Sequence, residues 1–81
     1  MTELNETQKR NLENILKDMD ARLYIVKLDY DNETVKIGYI RNRGTEDEWL
    51  DDNFLEVNVK GDSRAAVIRD VVKNVFDYTC R

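Results

Sequence analysis

The chain has 81 residues, of which 17 are acidic and 13 basic with no histidine, so its formal charge is −4 at neutral pH. With 41% hydrophobic and 37% charged residues, no proline and three glycines, the composition excludes collagen-like, linker-like and disordered chains. We expect one small α+β domain over residues 1–81. The absence of histidine removes the commonest general base and metal ligand, and a single cysteine excludes an intrachain disulfide.

No apolar run approaches the roughly 20 residues of a membrane-spanning helix, and the first residues lack a signal-peptide pattern. We therefore expect a cytoplasmic protein that does not contact membranes. The cysteine, Cys80, is next to the final arginine, and we interpret it as an incidental free thiol.

The first predicted element is an amphipathic helix. Apolar residues recur at spacings of three and four between residues 12 and 19, with charged and amide side chains between them. The helix is expected to run from about Thr2 or Asn5 to Asp20, and Thr2 is a candidate N-cap.

Three strands follow in the predicted order. Residues 23–30 and 34–41 are rich in β-branched and aromatic side chains, and residues 54–60 alternate between apolar and polar. Asp31 and Asn32, between the first two strands, tolerate the positive φ of a tight hairpin. The first two strands are therefore predicted to pair antiparallel.

The connection over residues 42–53 is harder to assign. Residues 42–44 have turn chemistry, while Thr45 with Glu48 three residues later is a candidate capping box for a short helical turn. We favour a turn followed by a short extended piece from Glu48 to Leu50.

A second helix closes the chain. Residues 61–63, Gly-Asp-Ser, end the preceding strand and offer an N-cap, and apolar residues recur in paired steps of four between residues 67 and 76. The element order is α-β-β-(β)-β-α. This order predicts an antiparallel meander of three or four strands, with the N-terminal and C-terminal helices packed on one face.

Alternation along each strand assigns its side chains to two faces. The face predicted to lie under the helices carries Tyr24, Val26, Leu28, Tyr30, Val35, Ile37, Tyr39, Leu55, Val57 and Val59. The other face has no helix left to cover it. It is predicted to expose an apolar patch of Ile25, Ile40 and Phe54 near Trp49, which is a candidate oligomer interface.

Negative charge is concentrated in the middle of the chain. Residues 28–60 hold nine acids and four bases, and five of the seven residues at 46–52 are carboxylates around the only tryptophan. A solvated loop would explain such a run. We favour a partner-binding surface with an aromatic anchor. Its candidate residues are Glu46, Asp47, Glu48, Trp49, Asp51 and Asp52, with Asp29, Asp31 and Glu33 as a second acidic patch.

No residue pattern predicts catalysis. Residues 29–33 begin like a calcium-binding loop, but Thr34 stands where that loop needs glycine and Ile40 where it needs a bidentate glutamate. No P-loop, Rossmann glycine pattern or nucleophile elbow occurs. We expect a protein that is not an enzyme and that uses no metal or cofactor.

The closing unit VNVKGDSRAAVIRDVVKNVF resembles the C-terminal half of short proteins encoded by phages and mobile elements of Gram-positive bacteria. Together with the acidic middle, the chain is similar to the small anti-CRISPR proteins. The resemblance implies a phage-encoded inhibitor in the host cytoplasm, which binds a nuclease effector and occupies a surface meant for DNA, as a DNA mimic does. The partner it implies is a protein with a basic, nucleic-acid-binding surface.

Two other functions stay open. One is a homo-oligomeric structural domain that assembles through the apolar patch on the uncovered sheet face, as a homodimer for example. The other is direct binding of single-stranded nucleic acid, because Tyr39, Arg41 and Arg43 place an aromatic ring and two cations at one strand end. The acidity of the chain and the absence of a basic stripe favour a protein partner over a nucleic acid.

Overall fold

The computed structural model describes residues 1–79, so the interpretation of Cys80 as a free thiol lies outside the described residues. Three strands form one antiparallel sheet in the order β1-β2-β3, and a helix stands at each end of the chain. The predicted α+β meander is therefore confirmed, with three strands. Its elements are α1 (Glu6–Met19), β1 (Leu23–Asp29), β2 (Thr34–Arg41), β3 (Trp49–Asn58) and α2 (Arg64–Thr79). Within residues 1–79, neither helix is long and apolar enough to cross a membrane.

Helix α1 begins with a capping box. The Asn5 side chain accepts a hydrogen bond from the Gln8 backbone N–H at 2.8 Å, and the Gln8 side chain accepts one from the Asn5 N–H at 3.0 Å. These bonds satisfy two backbone donors that a helix start leaves unpaired. The suggestion of Thr2 as N-cap is wrong, because its hydroxyl donates to the carbonyl of Asp62 and joins the N-terminus to the loop before α2.

Helix α2 begins after Ser63, whose hydroxyl accepts from the Ala66 N–H at 3.1 Å, as its sequence predicts. Three of its β-branched residues, Val67, Val71 and Val75, are fully buried. Such residues are poor helix formers in isolation. The helix is therefore stabilised mainly by its contacts with the sheet and α1.

The core lies between the two helices and one sheet face, here called the helix face. Each buried aliphatic side chain contributes about 1.5–3 kcal/mol by leaving water. The largest fully buried side chains are Leu12, Leu16, Leu23, Val35, Ile37, Val57, Val67, Val71 and Val75.

The two ends of the sheet differ. We call them the hairpin end, where residues 30–33 join β1 to β2, and the loop end, where residues 42–48 join β2 to β3. Both helices start at the hairpin end: Leu4, just before α1, donates its N–H to the Tyr30 hydroxyl at 3.1 Å, and Arg64 donates to a carbonyl at the start of the chain at 2.9 Å. The helices consequently run parallel to each other and end near the loop end.

The β1–β2 turn differs in detail from its prediction. The residue with positive φ is Glu33, at 54°, and not Asp31 or Asn32. Asn32 instead donates from its backbone and side-chain nitrogens to the Asp29 carboxylate, at 3.2 and 2.8 Å. This side-chain bridge closes the turn and leaves the left-handed conformation to the residue that follows.

Strand β1 contains a bulge. Ile25 opposes Ile37, whereas the next pair along the ladder is Lys27 with Lys36, so Val26 is an additional residue on β1. An additional residue shifts the alternation by one and moves later side chains to the opposite face. Val26 is consequently 37% exposed instead of lying under the helices.

The bulge makes the predicted faces of the first half of β1 wrong. Leu23 is fully buried and Ile25 packs against the core, although both were expected on the uncovered face. Tyr24 instead lies against Gly38 on the face away from the helices, which we call the open face. The helix-face predictions that hold are Leu28, Val35, Ile37, Tyr39, Leu55, Val57 and Val59.

Strand β3 runs without interruption over Trp49–Asn58, so the predicted extended piece at 48–50 is the start of this strand and not a separate one. Its pairing with β2 is also irregular. The partner of Ile37 is Leu55, and the partner of Tyr39 is Asp51. Three residues of β3, 52–54, therefore oppose Gly38 alone.

Candidate binding surfaces

The two predicted acidic patches lie at opposite ends of the sheet. Residues 29–33 form the turn at the hairpin end, and residues 46–52 lie at the loop end and the start of β3. Strand β2 separates them with its eight residues, a length of roughly 24 Å at about 3.4 Å per residue. They are therefore two surfaces and not one.

The carboxylates of the hairpin end are used mostly inside the protein. Asp29 bonds Asn32, whose side-chain and backbone N–H groups hold the pKa of the Asp29 carboxyl below its usual value. Glu33 pairs with the N-terminal ammonium of Met1 at 3.1 Å. Asp31 is exposed and forms no ion pair with another residue in the described range 1–79. This patch offers one uncommitted carboxylate to a partner.

Two of the predicted site residues on β3 also have internal partners. The Asp51 carboxylate accepts two hydrogen bonds from the Arg41 guanidinium, at 3.0 and 3.1 Å. The Asp52 carboxylate accepts one from the Tyr24 hydroxyl at 2.6 Å. Desolvation, assisted by this hydrogen bond, raises the pKa of Tyr24 to about 12. Asp51 and Asp52 therefore hold the strands together.

The connection between β2 and β3 is a tight turn, as the sequence of residues 42–44 predicts. Asn42 and Gly44 adopt positive φ values of 54° and 82°. The Glu48 carboxylate accepts from the Gly44 N–H at 2.9 Å and closes the turn. Among residues 1–79, no cation lies within salt-bridge distance of Glu46 or Asp47. Both side chains are exposed, and no ion pair with a described residue neutralises their negative charge.

An exposed apolar pair follows directly. Trp49 is 53% exposed and Leu50 59%, on a strand that forms one edge of the sheet. Leu50 is paired with Ile40 on the open face. The predicted patch is not formed, because Ile25 and Phe54 pack against the core and only Ile40 of the three belongs to the open face.

A cluster of aromatic rings and arginines lies at the loop end of the helix face. The Tyr39 and Phe54 rings stack with centroids 4.7 Å apart, and Tyr78 meets Phe54 edge-on at 5.1 Å. The guanidinium carbons of Arg22 and Arg41 both lie 4.8 Å from the Tyr39 centroid. These are cation–π distances.

Asp20, the C-cap of α1, orients this cluster. Its two carboxylate oxygens each accept from Arg22 at 3.0 Å, and one also accepts from the Tyr39 hydroxyl at 3.1 Å. Arg22 is the main reason that the pKa of Asp20 lies below its usual value. The pKa of Tyr39 is raised by desolvation and by the nearby Asp20 carboxylate.

The sequence indicated only part of this cluster. Tyr39 and Arg41 are two residues apart on one strand and hence share a face, which is a readable signal. Phe54 was assigned to the other face because the β3 bulge is not visible in the alternation. Arg22 and Tyr78 come from a loop and a helix, so only the tertiary structure brings them to Tyr39.

No protein-family model matches the chain, and no curated protein or solved structure is detectably similar to it. The resemblance to the anti-CRISPR proteins therefore stays a prediction. Within the part of the chain that the structure describes, no three His, Cys, Asp or Glu side chains are grouped so that they could hold a metal ion.

Proposed function

We propose that this protein is a non-enzymatic protein-binding module whose contact surface is centred on residues 46–50. The observation that carries the proposal is the exposure of Trp49 and Leu50, 53% and 59%, directly after three carboxylates. Tryptophan is enriched among residues that dominate interface energies. Surrounding carboxylates accelerate the encounter with a positive surface.

Two of the predicted acidic residues are already bonded inside the protein. Asp51 and Asp52 are engaged by Arg41 and Tyr24, so the charge available to a partner comes from the preceding turn. A standard interface covers about 800 Å² on each partner, which is a radius of about 16 Å around its centre. Residues 29–33, at the far end of β2, fall outside such a contact and belong to a separate surface.

The chemistry of residues 46–50 defines the partner. It needs an apolar depression for the tryptophan side chain, with lysine or arginine at its rim. Proteins that bind nucleic acid provide such a rim because they use these cations to bind phosphates. Given the sequence resemblance, we infer a phage-encoded inhibitor that blocks the DNA-binding surface of a nuclease effector such as a CRISPR effector.

The experiment is capture followed by quantitative binding. Immobilised protein is offered a bacterial lysate at low and high salt, captured proteins are identified by mass spectrometry, and the purified partner is titrated calorimetrically. We expect Trp49→Ala to weaken binding by tenfold or more, a loss of about 1.4 kcal/mol. Unchanged affinity in this variant would contradict the assignment of residues 46–50.

Two charge-reversal variants test whether the carboxylates near Trp49 contribute to binding. Asp47→Lys and Asp31→Lys change the net charge equally, but only Asp47 is close to Trp49, two residues before it in the sequence. We expect Asp47→Lys to slow association and reduce its salt dependence, while Asp31→Lys leaves both unchanged. Displacement of labelled DNA from the partner by the wild-type protein would support the proposal that this protein acts as a DNA mimic. Simultaneous binding of DNA and protein would contradict it.

A second candidate is self-association through the open face. It is favoured by the exposed Leu50 beside Ile40, on a face that no helix covers. Sedimentation velocity of the purified protein distinguishes the two functions. A dimer that Leu50→Lys converts to monomer would support this candidate, and a monomer at all concentrations would exclude it.

A further inference from the structure

The aromatic cluster at the loop end lines an open cavity of about 300 Å³ at the protein surface. Three aromatic residues, Tyr39, Phe54 and Tyr78, line it together with Arg22 and Arg41, and Asp20 and Thr79 complete the lining. This volume is at the lower end of the range for small-molecule sites, which combine aromatic walls with a few oriented polar groups. The cavity lies on the helix face, and Trp49, the strand partner of Arg41, does not line it.

Both arginines are held in place by carboxylates. Arg22 uses its Nε and Nη2 to bind Asp20, and Arg41 uses the same two atoms to bind Asp51. A guanidinium has five N–H donors, so each of these retains three. Because each guanidinium is fixed beside Tyr39 before any ligand arrives, a ligand loses little affinity to ordering them.

A second open cavity, of about 530 Å³, adjoins the first. Asp20 and Arg22 line both, and Arg43 and Glu48 line only the second. Arg43 is exposed, and no carboxylate among the described residues lies within salt-bridge distance of its guanidinium. The two cavities thus offer an aromatic site next to a cation that has no carboxylate partner within residues 1–79.

We propose that the joined cavities bind a ligand with a planar aromatic ring and a phosphate group, the chemistry of a nucleoside monophosphate. The ring packs among Tyr39, Phe54 and Tyr78, since aromatic side chains accept any base by stacking. The phosphate lies between Arg22 and Arg43, because guanidinium groups bind phosphate oxygens with paired hydrogen bonds.

The same chemistry occurs in a free nucleotide and at the end of a single-stranded nucleic acid. The net charge of −4 favours the free nucleotide, because a long polyanion experiences the repulsion of the whole protein surface and a monophosphate only that of its neighbours. The site differs from the protein-binding surface of residues 46–50 in all its residues except Glu48.

The test is calorimetric titration of the purified protein with uridine and adenosine monophosphates, uridine, and inorganic phosphate at low salt. We expect the monophosphates to bind with a Kd below about 1 mM and about tenfold more tightly than either fragment. Arg43→Gln should weaken monophosphate binding by about fivefold without affecting folding, because Arg43 makes no ion pair within residues 1–79. Arg10→Gln removes the same charge from the exposed side of α1 and should change nothing.

Two ring variants test the aromatic part. Phe54→Leu should weaken both the nucleoside and the monophosphate, and its thermal unfolding shows whether it is folded. If it is not, Tyr78→Leu replaces it, because that ring is 44% exposed and contributes less to the core. Unchanged affinity in a folded ring variant would overturn the proposal.

The remaining outcomes separate the ligand sources. Equal affinity for phosphate and uridine monophosphate means an adventitious ion only and overturns the proposal, as does the absence of binding heat. A ten-residue oligothymidylate that binds more tightly than the monophosphate, and is weakened by Arg43→Gln, supports the site with single-stranded nucleic acid as the source. Nucleotide binding that Trp49→Ala leaves intact supports a site independent of the protein-binding surface.

Discussion

The hydroxyl of Tyr24 on β1 donates a 2.6 Å hydrogen bond to the carboxylate of Asp52 on β3, so one side chain links the two outer strands. To reach Asp52, the Tyr24 ring crosses the central strand directly over Gly38. A Cβ atom at position 38 would collide with the ring. The bulges in β1 and β3 lie on either side of this crossing, where the link fixes the irregular pairing.

The crossing predicts that Gly38→Ala is destabilising, although alanine is normally preferred to glycine in a strand. The added methyl group must displace the Tyr24 ring, which costs about 1–3 kcal/mol as an overpacked site does. Urea denaturation measures the change. In a Tyr24→Ala background the same substitution should be neutral or stabilising, and an equal cost in both backgrounds would show that Tyr24 is not responsible.

The raised pKa of Tyr24 predicts a loss of stability at high pH. The folded protein keeps the phenol proton up to about pH 12, whereas the unfolded chain releases it near the ordinary value of 10.0. Between these values the unfolded state binds fewer protons, so the free energy of unfolding falls as pH rises. Thermal melts at pH 9 and pH 11.5 should show a smaller loss for Tyr24→Phe than for the wild type. Equal losses would contradict the assignment.

The connection between β3 and α2 is held by Asp70, whose carboxylate accepts the Lys60 N–H at 2.9 Å. This bond is the main reason that the pKa of Asp70 lies below 3.8. The unfolded chain therefore takes up the proton first on acidification, and this contribution to stability is lost as pH falls below about 4. Asp70→Asn should lower stability at pH 7 by about 1 kcal/mol and flatten its acid dependence. Asp77→Asn, an exposed change on the same helix, is the control and should leave stability at pH 7 unchanged.

Charge reversal distinguishes carboxylates that form ion pairs inside the protein from carboxylates that remain available to a partner. If residues 46–52 were only a solvated loop, reversing the charges of Asp51 and Asp52 would leave stability nearly unchanged. The structure predicts the opposite for Asp51, because a lysine there would face Arg41. We expect Asp51→Lys to lower the free energy of unfolding by about 1 kcal/mol, since the pair is partly exposed and screened by solvent. Asp47→Lys should leave it unchanged, and equal melting temperatures for the two variants would contradict this distinction.

Element types were predictable to a large extent from the sequence. The spacing of residues 12–19 and 67–76 predicted both helices, and β2 was predicted with its observed bounds. The predictions were wrong where additional residues interrupt the alternation of side chains along a strand. Val26 in β1 and residues 52–54 in β3 are ordinary strand residues by composition, so the bulges they form could not be predicted.

The candidate surfaces show the same limit. Exposure of Trp49 among carboxylates was predictable, because a polar run before a strand rarely enters a core. The sequence did not predict that Asp51 bonds Arg41 and that Asp52 bonds Tyr24. Tyr24 and Asp52 are 28 positions apart in the sequence and meet only across the sheet.

The sequence by itself determined the α+β class, the start of α2 after Ser63, and the concentration of charge between residues 28 and 60. These follow from local periodicity, capping chemistry and composition, which need no partner distant in the chain. The tertiary structure alone decided which carboxylates remain available and which rings meet. Both depend on the strand register, which is set by the packing of all three strands against the helices at once.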